Sequence, residues 1–239
     1  MPRSYVNRII TMKTILFVLS LLSLSAHSAR AATIALWTFE SPNVPGTVTG
    51  TSISGLVPNI GSGTASGVHA SGATVFSSAV GNGSSSALSA NSWAPGDYWE
   101  FHVSTVGFTS LQLSFAQRAD STGPTNFNLA YSLNHTSFTT VLSFYQVRAD
   151  NSGGGWNSST PNLTTIRTVD LSAVTQVNNA PDVYFRLTSN IGGPSSGTGR
   201  IDDFSVTATA IPEPASLAII GIAVLALSRH AAFKRGNRP

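Results

Sequence analysis

The chain has no cysteine, so disulfides and thiolate metal sites are excluded and the fold must stand on its own core. Charge is nearly as scarce: only 10% of the 239 residues are charged. Between Ala32 and Ala210 there is no lysine, and five arginines face nine acidic residues, a formal charge of −4. The +3 of the whole chain therefore belongs to its two ends, which removes the usual argument for a nucleic-acid partner. The body also lacks helical periodicity and the common catalytic patterns. There is no H-E-x-x-H and no G-x-S-x-G, and the glycine run from Gly61 to Gly67 has one residue too many for G-x-G-x-x-G. His69, His102 and His135 are scattered. The N-x-S/T triplets at Asn82, Asn134, Asn157 and Asn162 read as chance in a chain so rich in Asn, Ser and Thr.

What is present begins with an export leader. Lys13 precedes the apolar run Ile15 to Leu22, and Ala29-Arg30-Ala31 offers a small-residue cleavage site. This is the pattern of a secretory signal peptide over residues 1–31, with cleavage expected after Ala31. Met12-Lys13 provides a second plausible start, which would leave residues 1–11 outside the leader.

Residues 32–210 read as one exported all-β domain. Bulky and small residues alternate at 34–40, 98–103, 111–117, 127–133, 138–145, 165–171, 183–188 and 200–209. Each run is rich in aromatic or β-branched types and is bounded by Gly, Pro, Asn or Ser. Residues 41–96 are weaker, with strand candidates only at 52–57 and 73–77, and the loop at 150–157 is long enough to form a functional rim. The expected architecture is an antiparallel β-sandwich. Trp37 and Trp99 are expected in its core.

Two constellations could bind something. Glu40 ends the first strand, and Asp202 and Asp203 lie in the last. If those strands pair, the three carboxylates converge at one edge and suit Ca²⁺, which takes six to eight oxygens. Strict alternation places Asp202 on the side of Phe204 and Val206, where burial would demand a metal or an arginine. The alternative is a surface group salted to Arg200 or Arg186. Trp93, Tyr145 and Trp156 lie near predicted loops and could stack on the apolar faces of sugars, or could simply pack the interior. Asp97 and Glu100 are the obvious carboxylates for a glycosidase, which needs two across a cleft.

The C-terminal segment, residues 211–239, has three parts in immediate succession. Pro212-Glu213-Pro214 is held extended, because proline fixes φ and restricts the residue before it. An apolar stretch follows from Ala215, reaching 19 residues if continued to Phe233 with Arg229 snorkelling towards headgroups. Arg229, Lys234, Arg235 and Arg238 form a basic end, as the positive-inside rule expects of a cytoplasmic flank.

Pro212-Glu213-Pro214, Ala215-Ser216-Leu217, the glycine-containing helix and the basic end together resemble the PEP-CTERM sorting signal. The resemblance covers residues 211–235. Ser228 and His230 interrupt the helix end, and the basic cluster is spread rather than contiguous. It implies processing by the membrane enzyme exosortase, in Gram-negative bacteria that make extracellular polysaccharide. It further implies that Pro212, Glu213 and Pro214 are the sorting motif, residues 215–233 the transmembrane helix and the basic residues a stop. The Trp-Thr-Phe-Glu opening and the Arg-Ile-Asp-Asp-Phe-Ser-Val-Thr closing strand loosely resemble the paired terminal strands of jelly-roll carbohydrate-binding modules. In those modules an acidic site at this place is structural.

The expectation is therefore a protein exported across the inner membrane, transiently anchored by its C-terminal helix, and delivered to the cell surface or extracellular matrix. Its non-catalytic sandwich would bind extracellular polysaccharide. A polysaccharide-acting hydrolase and a purely structural matrix component are the alternatives.

Overall fold

Alternation of buried and exposed side chains builds strands, and the computed structural model, which describes residues 31–149 and 155–211, packs them into two sheets. The leader up to residue 30, the segment from Pro212 onward and most of the 150–157 loop lie outside the described residues. The predicted sorting motif, membrane helix and basic stop are therefore not part of the fold described below. Among the described residues no helix is long and apolar enough to cross a membrane.

In chain order the strands are β1 (Ala31–Trp37), β2 (Val48–Thr49), β3 (Ser52–Leu56), β4 (Ile60–Gly61) and β5 (Thr64–Val68). Then come β6 (Val75–Ala79), β7 (Ala87–Ala90), β8 (Tyr98–Val103), β9 (Phe108–Ala119) and β10 (Asn126–Ser132). The last are β11 (Thr139–Gln146), β12 (Arg148–Ala149), β13 (Ile166–Asp170), β14 (Val183–Ser189) and β15 (Gly199–Ala210). The smaller sheet has six strands in the order β11-β10-β14-β8-β5-β3, all antiparallel. The larger has nine and is organised on β15, which pairs with β9 along one side and with β7 and then β1 along the other. Its one parallel contact is the short β12 against β9.

The expected strands are present, most within a residue or two of where alternation put them. Residues 41–96 hold more strand than their composition signals, namely β2 to β7. Gly67 in β5 shows why composition misleads there. A Cβ at this position would lie 2.5 Å from the Trp99 ring and 2.8 Å from Phe76, so a residue that reads as a turn former is a packing requirement.

The core lies between the sheets. Trp99, Phe101 and Val103 of β8 and Val183, Phe185 and Leu187 of β14 face Leu111, Leu113 and Phe115 of β9 and Phe204, Val206 and Ala208 of β15. Phe101 and Phe204 stack across the gap with centroids 3.6 Å apart and planes 3° from parallel. Trp37 meets both rings edge-on, and its Nε1 donates to the Leu56 carbonyl. Trp37 and Trp99 are fully buried, as expected. This aromatic stack joins the first and last strands to the centre of the smaller sheet and gives the outer face of that sheet a rigid backing.

Candidate functional site

With the odd-numbered residues of β8 committed to the core, Tyr98, Glu100 and His102 must emerge on the opposite face of the smaller sheet. Tyr184, Arg186 and Thr188 of β14 do the same, in register with His102, Glu100 and Tyr98 respectively. The sheet thus draws six side chains into two adjacent columns. The β10–β11 turn adds His135 and Phe138 above them.

Arg186 anchors the group. Its Nε and Nη2 both donate to Glu100 Oε2, at 2.9 and 2.7 Å, and its guanidinium lies 3.9 Å from the Tyr98 ring centroid and 3.8 Å from that of Phe138. The other carboxylate oxygen, Glu100 Oε1, is 2.8 Å from His135 Nε2. Tyr184 is stacked against His102 and His135, with centroids 4.3 and 4.4 Å away and planes within 14° of parallel. His102 Nε2 is in turn 2.9 Å from Asp182 Oδ1. Burial raises the phenol pKa of Tyr98 and Tyr184, so both hydroxyls stay protonated donors at physiological pH.

Stacking and charge-assisted hydrogen bonds fix these side chains, while several remain open to solvent. The side chains of His135 and Asp182 are 53% and 51% exposed and that of His102 is 31% exposed, whereas that of Glu100, at 9%, is nearly covered. Such a surface can present ring edges, imidazole nitrogens and hydroxyls to a hydroxyl-rich ligand with little ordering on binding. Two clefts of about 240 and 350 Å³ open beside β11 and β13, but Arg167 lies over the Tyr145 ring in the first, and the second is lined mainly by Thr and aliphatic side chains.

The aromatic residues nominated from sequence lie elsewhere, and none presents an open ring face. Trp93 is 2% exposed, packs against His69, Trp99 and Phe127, and donates from Nε1 to the Ala90 carbonyl. Tyr145 is 5% exposed, its hydroxyl bonded to Gln117 Oε1 and its phenol pKa pushed up by burial. Trp156, bonded to Thr165 Oγ1, covers Ala87 and Ala116 on the far side of the larger sheet. The sugar platform expected of these three is replaced by interior packing: a large ring beside a loop gains more by closing over apolar surface than by facing water.

The carboxylates separate too. Asp97 is buried and accepts from the backbone N–H groups of Ala70 and Ala94, while Glu100 belongs to the Arg186 network. These two acids do different structural jobs and do not oppose one another as free groups. The histidines, read singly as bland strand or loop residues, include two that matter. The missed signal was the shared parity of Tyr98-x-Glu100-x-His102 and Tyr184-x-Arg186-x-Thr188, which becomes a site only once β8 and β14 pair.

Glu40, Asp202 and Asp203 do gather at one corner. The charge of Asp203 helps raise the Asp202 pKa and that of Glu40 raises the Asp203 pKa, in each case after desolvation. Asp202 is fully buried, but strict alternation mistook its face. Asp203 adopts φ 50°, the register with β9 slips between Asp202 and Ser205, and Asp202 pairs with Ala116, which faces away from the Phe115 side. A bulge reverses parity, so Asp202 lies under the 81–86 loop instead of beside Phe204 and Val206. Its Oδ2 accepts from Asn82 N–H and Ser84 Oγ, and its Oδ1 from Asp203 N–H. Glu40 accepts from Ser85 Oγ and Ser86 N–H. Neither Arg200 nor Arg186 pairs with this corner, the latter being committed to Glu100. Among the described residues no three His, Asp or Glu side chains are arranged to hold a metal ion.

No protein-family model matches the chain, and no curated protein does. Similar solved structures exist. The K3 cleaved adhesin domain of Lys-gingipain from Porphyromonas gingivalis w83 is 17% identical, with 74% of this chain and 99% of that one covered and a TM-score of 0.42. A family 35 carbohydrate binding module from Clostridium thermocellum is 14% identical, with 74% and 98% covered and a TM-score of 0.35. The N-terminal CBM22-1-CBM22-2 tandem domain of Paenibacillus barcinonensis Xyn10C is 8% identical, with 79% and 49% covered and a TM-score of 0.45.

Proposed function

We propose that this protein is an exported, non-catalytic polysaccharide-binding β-sandwich whose ligand lies on the outer face of the six-stranded sheet. The observation that carries the reading is the pre-ordered group of Tyr98, Glu100, His102, His135, Tyr184 and Arg186. Sugars offer apolar C–H faces and many hydroxyls, and a surface of rings and fixed polar groups meets both needs. Binding is favoured over hydrolysis because Glu100 is held by Arg186 and Asp97 by two backbone amides, leaving neither as a free acid or base. The test is calorimetry on the full chain, extracted in detergent, against a panel of neutral and acidic glycans. Tyr184→Ala and Arg186→Ala should abolish any binding seen. Binding unaffected by both variants would remove this face from the function.

The leader, the Pro-Glu-Pro segment and the basic tail support a route to go with this binding role. The chain is exported across the inner membrane, held transiently by residues 215–233, processed by an exosortase-type enzyme and delivered to the cell surface or matrix. Glu213→Ala and deletion of residues 211–239 should each change fractionation or molecular mass. If both leave them unchanged, the sorting reading is wrong. The strand order is proposed to be that of a jelly roll, supported by the pairing of β1 with β15 and the two-sheet arrangement. Calcium is a subsidiary proposal for the Glu40–Asp202–Asp203 corner, where the carboxylates do not form a ready-made ligand set and would have to turn from their Asn82, Ser84, Ser85 and Ser86 partners to reach an ion. The mutual repulsion of these carboxylates supports it, and the cation would be structural, supplying charge compensation that no basic side chain provides among the described residues.

A further inference from the structure

Phe144 is out of place for an exposed strand residue. The residue is 68% exposed, yet its backbone sits at φ 51°, a left-handed conformation that is a steric outlier for a bulky side chain. Polar groups spent on holding it there make the strain informative. Asn128 Oδ1 accepts from Phe144 N–H at 2.7 Å, and Asn126 Nδ2 donates to the Phe144 carbonyl at 3.4 Å. Asn190 braces both asparagines: its Nδ2 donates to Asn126 Oδ1 and Asn128 Oδ1, and its Oδ1 accepts from Asn128 Nδ2. The register of β10 with β11 slips at this point, so the strand bulges opposite Asn128. A bulge that aims a ring into solvent at a steric cost is the kind of outlier that points to a ligand.

The sheet places this ring in line with the proposed binding face. Tyr98 of β8 pairs with Thr188 of β14, Thr188 pairs with Asn128 of β10, and the Asn128 amide holds Phe144 of β11. Phe127 and Leu129 point into the core, so Asn128 faces the same side as Tyr98 and Thr188. Tyr98 and Phe144 therefore end one row that crosses four strands, spanning about 14 Å at the usual strand spacing. No member of the row is ionisable except the Tyr98 phenol, which stays neutral, and Arg186, whose guanidinium lies over the Tyr98 ring, is neutralised by Glu100.

We infer that Phe144 is a specificity-determining platform for an internal stretch of an uncharged, linear polysaccharide that runs across the strands from Tyr98 to Phe144. The inference rests on the binding reading given above and adds the direction of the chain, its charge class and a minimum length. Short saccharides reach only one end of the row, whereas a hexasaccharide covers both.

The test measures binding of cellohexaose, xylohexaose and mannohexaose, and of the corresponding disaccharides, to the detergent-extracted full chain by calorimetry. Phe144→Ala should weaken hexasaccharide binding about tenfold, the scale of one lost ring contact, and leave disaccharide binding and the melting temperature unchanged. Phe144→Trp should retain affinity. Asn128→Ala, which releases the bulge but keeps the ring, should give a smaller loss of the same length dependence. If the wild type binds none of the six but binds an acidic glycan, the uncharged class is refuted while the face stands; if it binds no glycan of either charge, the binding face itself is refuted. If the wild type binds and Phe144→Ala binds hexasaccharides equally well, or loses both lengths equally, the platform and its direction are refuted while the face stands.

Discussion

Asp202 is a carboxylate that the fold prefers protonated, which makes pH a direct probe of the acidic corner. Its pKa is raised from 3.8 to about 7, first by burial and then by the neighbouring Asp203 charge. The hydrogen bonds accommodate a proton: Ser84 Oγ can donate to the Ser86 carbonyl and accept from a protonated Asp202. A group whose pKa is higher in the folded than the unfolded chain stabilises fully below its unfolded value, and that stability is lost as pH rises through the folded value. Moving a carboxyl from 3.8 to 7 is worth about 4 kcal/mol, lost between roughly pH 4 and 7. His69 works in the opposite sense, since its lowered pKa makes folding less favourable as pH falls below 6.5. Wild type must therefore be read against Asp202→Asn, which shares every other group. In urea titrations with EDTA present, the wild type should lose about 4 kcal/mol relative to the variant between pH 4 and 8. Saturating calcium bound at this corner should shrink that loss, because holding the carboxylate ionised lowers its folded pKa towards the unfolded value. A wild-type-minus-variant difference that stays flat across this range in EDTA would refute the account of the corner. The calcium proposal would fail separately if calcium moved neither the difference nor the melting temperature.

Three other outcomes follow from the structure. Gly67→Ala drives a Cβ against Trp99 and Phe76 and should cost about 1–3 kcal/mol in chemical denaturation, the range for overpacking. Arg186→Met leaves a nearly covered Glu100 with His135 alone, so a double-mutant cycle with Glu100→Gln should show coupling of about 2 kcal/mol, and additivity within about 0.5 kcal/mol would contradict the pairing. Asp120, which accepts from Thr198 and Thr122, and Asp170, which accepts from Ser172, have lowered pKa values, so their contribution persists above pH 4 and is lost in stronger acid. Asp120→Asn should therefore flatten the acid limb of the denaturation profile below pH 4, and an unchanged limb would show that its hydrogen bonds are not differential between the folded and unfolded chain.

Period-2 alternation made most of the sandwich legible, because burying one face of a strand imposes a pattern on neighbouring residues. Tyr98 to Val103 needed nothing further to be recognised as β8. The same rule misplaced Asp202, because a single left-handed residue after it reverses parity and no local feature of Asp-Asp-Phe announces that. Gly67 and the short strands around it were obscure for a related reason: small residues signal turns locally, while their use here is to let Trp99 and Phe76 approach. The three ringed residues beside loops drew attention by position, but position along a chain does not tell whether a ring faces outward.

By itself the sequence determined an all-β body, its acidic charge and its freedom from cysteine chemistry, and it set up the expectation of a leader and a sorting tail. These are properties of composition and near-neighbour pattern, and local physics suffices for them. Only the tertiary structure decided that His102, Tyr184 and His135 share one stack, that Arg186 belongs to Glu100, and that Phe144 is held out at the end of the row begun by Tyr98. Those partners lie 35 to 86 residues apart along the chain where they hydrogen-bond, and strand pairing alone brings them together.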